Sequence, residues 1–84
     1  MPDSFAWWDE PVRVFADSTT VVAVTRLGRA VELLLGNWPK HGPKFFEARK
    51  AALAAYSNPA NKRAQAKAQE AFAAAAREAG ILAD

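Results

Sequence analysis

The chain of 84 residues contains no cysteine and only one histidine, His41. The absence of thiols excludes disulfides, thiolate catalysis and cysteine-based zinc sites. A catalytic triad or a histidine metal site would have to be built around His41 alone, so we expect neither a metal nor a cofactor. A chain without cysteine also suits the reducing cytoplasm.

Long apolar runs are missing too. The longest uncharged stretch, residues 51–61, has eleven residues, whereas a membrane-spanning helix needs about 20. The N-terminus carries acidic and aromatic residues in place of the basic start and apolar run of a secretory signal. We therefore expect a cytoplasmic protein that makes no contact with a membrane.

The sequence offers little material for catalysis. Its nine acidic residues are scattered, and no two of them share a predicted apolar face on which burial could raise a pKa for acid–base work. Its four glycines do not form a phosphate-binding loop. We predict no catalytic residue, and an enzyme is the least supported class of protein.

The length favours one domain covering residues 1–84, because two cores of half this size could not offset the loss of chain entropy. The net charge of +2 is unevenly distributed. Residues 1–24 hold one basic and four acidic residues, which gives −3, and residues 25–84 hold ten and five, which gives +5. This asymmetry is compatible with internal complementarity or with an anionic partner.

The N-terminal part predicts a β-hairpin. Residues 11–16 and 20–25 are rich in Val, Phe and Thr, and Asp17, Ser18 and Thr19 between them are typical of a turn. Thr25 is a candidate N-cap for the helix that follows.

Three helices follow the hairpin, which makes the predicted fold α+β, with the last two helices forming an antiparallel pair. Pro43 suits the first position of the second helix and Pro59 that of the third, while Gly80 suits a left-handed helix end. Apolar spacing predicts the buried faces: Leu27, Ala30, Val31, Leu34, Leu35 and Trp38; Phe45, Ala48, Ala52, Leu53 and Tyr56; Ala64, Ala68, Ala71, Phe72, Ala75 and Ala79.

The order of these landmarks resembles a small bacterial family, domain of unknown function 982. The resemblance extends from about Trp8 to Ile81. It rests on Trp8 with Pro11-Val12, the hairpin, the Leu-rich helix closed by Trp38-Pro39, Phe45 with Ala48, and Ala71-Phe72 with the run from Glu78 to Ile81. It implies a two-strand, three-helix domain of soil or plant-associated bacteria, and it implies no activity for any residue. The family often has a glycine between the last two helices, where this chain has Asn58 and Pro59.

The connection between the first two helices is the best candidate for a binding site, because it combines an aromatic residue, the only histidine and two lysines. Its candidate residues are Trp38, Lys40, His41 and Lys44. A small ligand could bind there, but a connector with Trp38 in the core is the favoured interpretation. The two alternatives differ in the exposure of Trp38.

Self-association is predicted for the hairpin, since helices can cover only one face of a two-stranded sheet. The candidate contact residues of a homodimer are Trp7, Trp8, Phe15, Val22 and Val24. The leading functional hypothesis is a non-catalytic interaction or accessory module that binds itself or an unidentified protein.

Nucleic-acid binding is the less favoured alternative. Lys62, Arg63, Lys67 and Arg77 make the third helix basic, but Glu70 and Glu78 interrupt them. Lys62 and Arg63 fall in the first turn of that helix, where an anion could bind, although a solvated helix end is the simpler interpretation.

Overall fold

The computed structural model describes residues 7–17, 19–36, 38–58 and 60–83. Two strands precede three helices, as the sequence predicts. The elements are β1 (Trp7–Phe15), β2 (Val21–Arg26), α1 (Leu27–Leu35), α2 (Pro43–Ser57) and α3 (Lys62–Ala79). The α+β class and the antiparallel hairpin are thereby confirmed.

One carboxylate organises the hairpin turn. Asp17 Oδ1 accepts hydrogen bonds from the backbone N–H groups of Thr19 and Thr20, each at 2.9 Å, and from the Thr19 hydroxyl at 3.2 Å. These bonds, the one from the Thr19 N–H above all, lower the pKa of Asp17 because they favour its charged form. Beyond the turn, the N–H of Ala16 donates to the carbonyl of Thr20 at 2.7 Å.

The register of the hairpin decides which valines are buried. Val12 pairs with Val24 and Val14 with Val22, and residues paired directly across two strands share a face. The prediction that Val24 faces solvent beside Phe15 is therefore wrong: Val24 is fully buried, and Val22 is half-buried against the core. A shift of one residue in the assumed pairing exchanges the two faces of a strand.

The C-terminal segment adds a short third pairing to the sheet, which the sequence did not predict. The N–H of Phe15 donates to the carbonyl of Ile81 at 2.8 Å, and the N–H of Ala83 donates to the carbonyl of Arg13 at 2.8 Å. Leu82 forms an isolated bridge opposite Val14. Strand β1 is thus paired along both of its edges.

The helix boundaries confirm part of the prediction. Pro43 opens α2. The suggested N-cap at Thr25 is wrong, since β2 continues through Arg26, which precedes α1 without a side-chain cap. Gly80 is left-handed with φ 76°, and the N–H of Ile81 returns to the carbonyl of Ala76 at 2.9 Å, which is the predicted helix end.

Helix α3 begins later than predicted. Asn58 ends α2, and the N-cap of α3 is Asn61, whose Oδ1 accepts from the N–H of Ala64 at 3.1 Å. Pro59, predicted as the first residue of α3, lies outside the described residues. The Asn61 side chain satisfies a first-turn amide and so stabilises the start of α3 at this point.

The core is centred on Phe72, which is fully buried. Its ring centroid lies 5.6 Å from that of Trp8 on β1 and 5.4 Å from that of Trp38. Buried alanines separate α2 from α3, so the two helices approach closely. Between them, the buried Gln65 donates from Nε2 to the carbonyl of Ala55 at 3.2 Å.

Candidate functional site

The predicted loop site is anchored in the core at its first residue. Trp38 is only 6% exposed. Its ring lies 5.4 Å from that of Phe72 and 6.3 Å from that of Phe45, measured between centroids. Trp38 is therefore a packing residue, and it offers no exposed aromatic platform to a ligand.

His41 is exposed, but its ring has a partner. It stacks on Phe45 with centroids 4.2 Å apart and an interplanar angle of 12°. Phe45, the first core residue of α2, thus contacts both Trp38 and His41. The imidazole covers one face of a core aromatic ring, which is a structural use of the only histidine.

The end of the loop is joined to α3 by a carboxylate. Glu78 Oε2 accepts a hydrogen bond of 3.4 Å from the backbone N–H of Lys44, in the first turn of α2. Gly42, which precedes α2, has no side chain to cap this helix. Glu78 therefore supplies from α3 the negative charge that favours a helix N-terminus.

A side chain at position 42 would displace the Glu78 carboxylate from its present place. A Cβ added to Gly42 would lie 2.6 Å from Glu78 Oε1, which is closer than carbon and oxygen can pack. The carboxylate is therefore seated directly against the glycine Cα.

The remaining lysines of the loop do not converge on a common point. The Lys44 ammonium lies 3.8 Å from Glu47 Oε1, on the same helix. Lys40 is exposed and makes no hydrogen bond or ion pair with a described residue. The arrangement of the four candidate residues matches the connector alternative.

The predicted self-association residues are divided between the core and the surface. Trp8 and Val24 are buried, Val22 is half-buried, and Phe15 is 38% exposed. The side chain of Trp7 lies outside the described residues. Val21, which is paired with Phe15, is 46% exposed, so this pair forms the apolar part of the outer sheet face.

The basic residues of α3 stand in a mixed surface. Lys62, Arg63, Lys67 and Arg77 are exposed. Lys67 lines a groove of about 700 Å³ between α2 and α3, where Lys44, Lys50, Glu47 and Glu70 also lie, over a floor of alanines. Acidic side chains thus interrupt the basic surface, as the sequence suggested.

An apolar surface that the sequence analysis missed lies along α1 and α2. We call it the apolar seam, and it consists of Leu35, Phe46, Leu53 and Tyr56. Their exposed fractions are 57%, 53%, 41% and 62%. Leu35 and Leu53 line one small cleft between the two helices. Phe46 lies seven residues before Leu53 and Tyr56 three residues after it, a helical spacing that places all three on the same side of α2.

The seam corrects three predicted core positions. Leu35, Leu53 and Tyr56 fit the helical spacing of a buried face, yet all three are exposed. The core face of α2 is instead formed by Phe45 and by Ala48, Ala52 and Ala55. These small side chains allow the neighbouring helices to pack close to α2.

Arg49 gives the apolar seam a charge. It lines the same cleft as Leu35 and Leu53. It forms no ion pair within the part of the chain that the structure describes, where the ion pairs are Arg29 with Glu32 and Lys44 with Glu47. A cation surrounded by apolar side chains favours a carboxylate brought by another molecule.

Within residues 7–17, 19–36, 38–58 and 60–83, no group of three potential metal ligands comes together. No helix in those ranges has both the length and the apolar character required to cross a bilayer.

The fold and these surfaces define a small α+β protein built from a hairpin and three helices. The chain belongs to the family described as protein of unknown function (DUF982), whose model matches residues 10–83. The predicted family resemblance is thereby confirmed. No curated protein and no solved structure matches the chain.

Proposed function

We propose that this protein is a small non-catalytic interaction module that binds a partner protein through the apolar seam. The observation that carries the proposal is the exposure of four large apolar side chains on two adjacent helices. Clustered apolar side chains of this kind mark sites of association, whereas single ones are ordinary features of a surface. The absence of cysteine supports the cytoplasm as the place of action.

The chemistry of the seam indicates the partner. Leu35, Leu53 and Tyr56 offer apolar and aromatic contact area, and Tyr and Arg are frequent at energetically important interface positions. Arg49, in the middle of the seam, can bind a carboxylate of the partner protein through charge-assisted hydrogen bonds. An amphipathic helix with acidic flanks satisfies both requirements, since it can lay its apolar stripe against the exposed apolar side chains of α1 and α2.

A paired substitution on α2 tests this proposal. Leu53→Asp places a carboxylate in the seam, and Ala54→Asp places one at the neighbouring exposed position, which lines the groove between α2 and α3. We expect the protein to capture a partner from its source cell, and we expect Leu53→Asp, but not Ala54→Asp, to abolish the capture. Calorimetry with the purified partner then measures the affinity of both variants.

Two outcomes would contradict the proposal. One is a partner whose affinity falls equally in both variants. The other is a partner that binds Leu53→Asp as tightly as the parent. Circular dichroism of each variant establishes that the helices are intact before binding is measured.

A further inference from the structure

The two strands differ in whether their outer edges are hydrogen-bonded. Strand β1 is paired on one side with β2 and on the other with residues 81–83, through hydrogen bonds at Phe15 and Arg13. Strand β2 is paired only with β1 among the described residues. The outer edge of β2 is therefore the open edge of this sheet.

The pairing of β1 with β2 shows which backbone N–H and C=O groups lie on the outer edge of β2. The N–H of Ala16 donates to the carbonyl of Thr20, and Val14 is paired with Val22. In an antiparallel pair, every second residue directs its N–H and C=O groups to the neighbouring strand, so these groups of Val22 and Val24 point towards β1. The N–H and C=O groups of Val21, Ala23 and Thr25 consequently point away from β1. The N–H and C=O groups of these three residues form no hydrogen bond with any other described residue.

Edges of this kind normally carry features that prevent pairing. Proline, lysine, an inward-pointing charge or a bulge are the usual means. Strand β2 reads Val-Val-Ala-Val-Thr-Arg, and its only charge is Arg26 at the end. Val21 and Ala23 are exposed along it. The strand is thus available as a template for another strand.

We propose that β2 pairs with β2 of a second copy of this chain, antiparallel across a two-fold axis at Ala23, to form one continuous sheet. This register gives the greatest overlap of the outward groups, since it sets Ala23 opposite the partner's Ala23 and Val21 opposite the partner's Thr25. It supplies roughly six backbone hydrogen bonds. The proposal does not depend on the apolar seam, which lies on the helices.

Charge complementarity selects a second copy as the occupant. In this register the partner's Arg26 lies opposite Thr20, whose N–H is bonded to Asp17 Oδ1 at 2.9 Å. Asp17 and Arg26 form no ion pair within the described chain. Each end of the shared pairing therefore brings one Arg26 towards one Asp17, and the two-fold axis repeats the contact.

Exchanging these charges provides the test. In Asp17→Lys, both ends of the dimer place Lys next to Arg, and in Arg26→Glu both place Glu next to Asp. We expect each variant alone to dissociate at least about tenfold more readily than the parent. A mixture of the two variants restores an opposite pair at both ends, so it should form a heterodimer that is tighter than the homodimer of either variant, even though Asp17→Lys also removes the carboxylate that accepts the hydrogen bonds of the turn. Sedimentation equilibrium measures all three against the monomer mass of 9.1 kDa.

Ala23→Pro gives an independent measurement. Its lost N–H faces away from β1, and proline is tolerated at the outer edge of a sheet, so the variant should fold and remain monomeric. A parent protein that sediments as a monomer up to millimolar concentration would overturn the proposal. This holds even if the outer edge of β2 then proves to bind an unrelated peptide. A parental dimer that persists in both charge variants would overturn the proposal too, since it would have to use another surface, such as the face of Phe15 and Val21.

Discussion

At the scale of single residues, polar groups and glycines act where two helices meet. Glu78, near the end of α3, accepts a hydrogen bond from the N–H of Lys44 at the start of α2. Gly42, before α2, leaves the space that this carboxylate occupies, since a Cβ there would lie 2.6 Å from Glu78 Oε1. Two positions far apart in sequence are therefore coupled by one steric requirement.

Two Gly→Ala substitutions should change stability in opposite directions. In Gly42→Ala the added Cβ displaces the Glu78 carboxylate and removes a helix cap, so the free energy of unfolding should fall by about 1–2 kcal/mol. In Gly28→Ala the Cβ meets nothing within 4 Å, and alanine is the better helix former, so the free energy should rise by about 0.5–1 kcal/mol. Urea unfolding followed by circular dichroism measures both values.

A gain of stability in Gly42→Ala would show that Glu78 moves away without cost and does not cap α2. Combining Gly42→Ala with Glu78→Ala tests the coupling directly. If the clash is the cause, the double variant should lose less than the sum of the two single losses.

At the scale of elements, the connection between α1 and α2 is held at both ends. Trp38 packs against Phe72 from α3 and Phe45 from α2. His41 stacks on Phe45 at the start of α2. The loop thereby sets the position of α2 relative to the sheet and α1.

Trp38→Ala and Lys40→Ala should separate packing from surface effects in this loop. The first removes a buried indole and leaves a cavity, so we expect a loss of about 3–5 kcal/mol. The second changes an exposed side chain without a polar partner in the described chain and should stay within about 0.5 kcal/mol of the parent. Thermal melts compare the two. A Trp38→Ala variant as stable as Lys40→Ala would contradict the connector and reopen the loop as a ligand site.

At the scale of the whole molecule, one aromatic ring joins the elements. Phe72 of α3 contacts Trp8 of β1 and Trp38 of the loop. A chain of this size has a small core, so the loss of a central side chain removes a large part of its stability. The hairpin and the helices should consequently unfold together.

Phe72→Ala should lower the free energy of unfolding by about 3–5 kcal/mol, because removing the ring leaves a cavity in the core between Trp8 and Trp38. Leu53→Ala, at a position 41% exposed, is the matched control and should cost clearly less. In the parent, tryptophan fluorescence and far-ultraviolet circular dichroism should report the same urea midpoint. Separate midpoints would show that the hairpin and helices are independent units.

Local patterns were sufficient to predict the order of the elements and several of their ends. Pro43 and Gly80 act through their own backbone geometry, so their effect is visible in the sequence. The alanine-rich third helix with Phe72 on its buried stripe also follows from spacing alone. Trp38 was assigned to the core on the same basis.

Only the tertiary structure decided which of several apolar residues in a helix or strand are buried by the neighbouring elements. Spacing cannot distinguish Leu53 from Ala52 on α2, and the packing of α2 against its neighbouring helices buries the alanine and leaves the leucine exposed. Spacing within β2 cannot set the register that turns Val24 inward, since that depends on its pairing with Val12. The capping of α2 by Glu78 and the pairing of residues 81–83 with β1 join distant parts of the chain. The elements were therefore determined by local chemistry, while the exposed surfaces available to partners were determined by packing between elements.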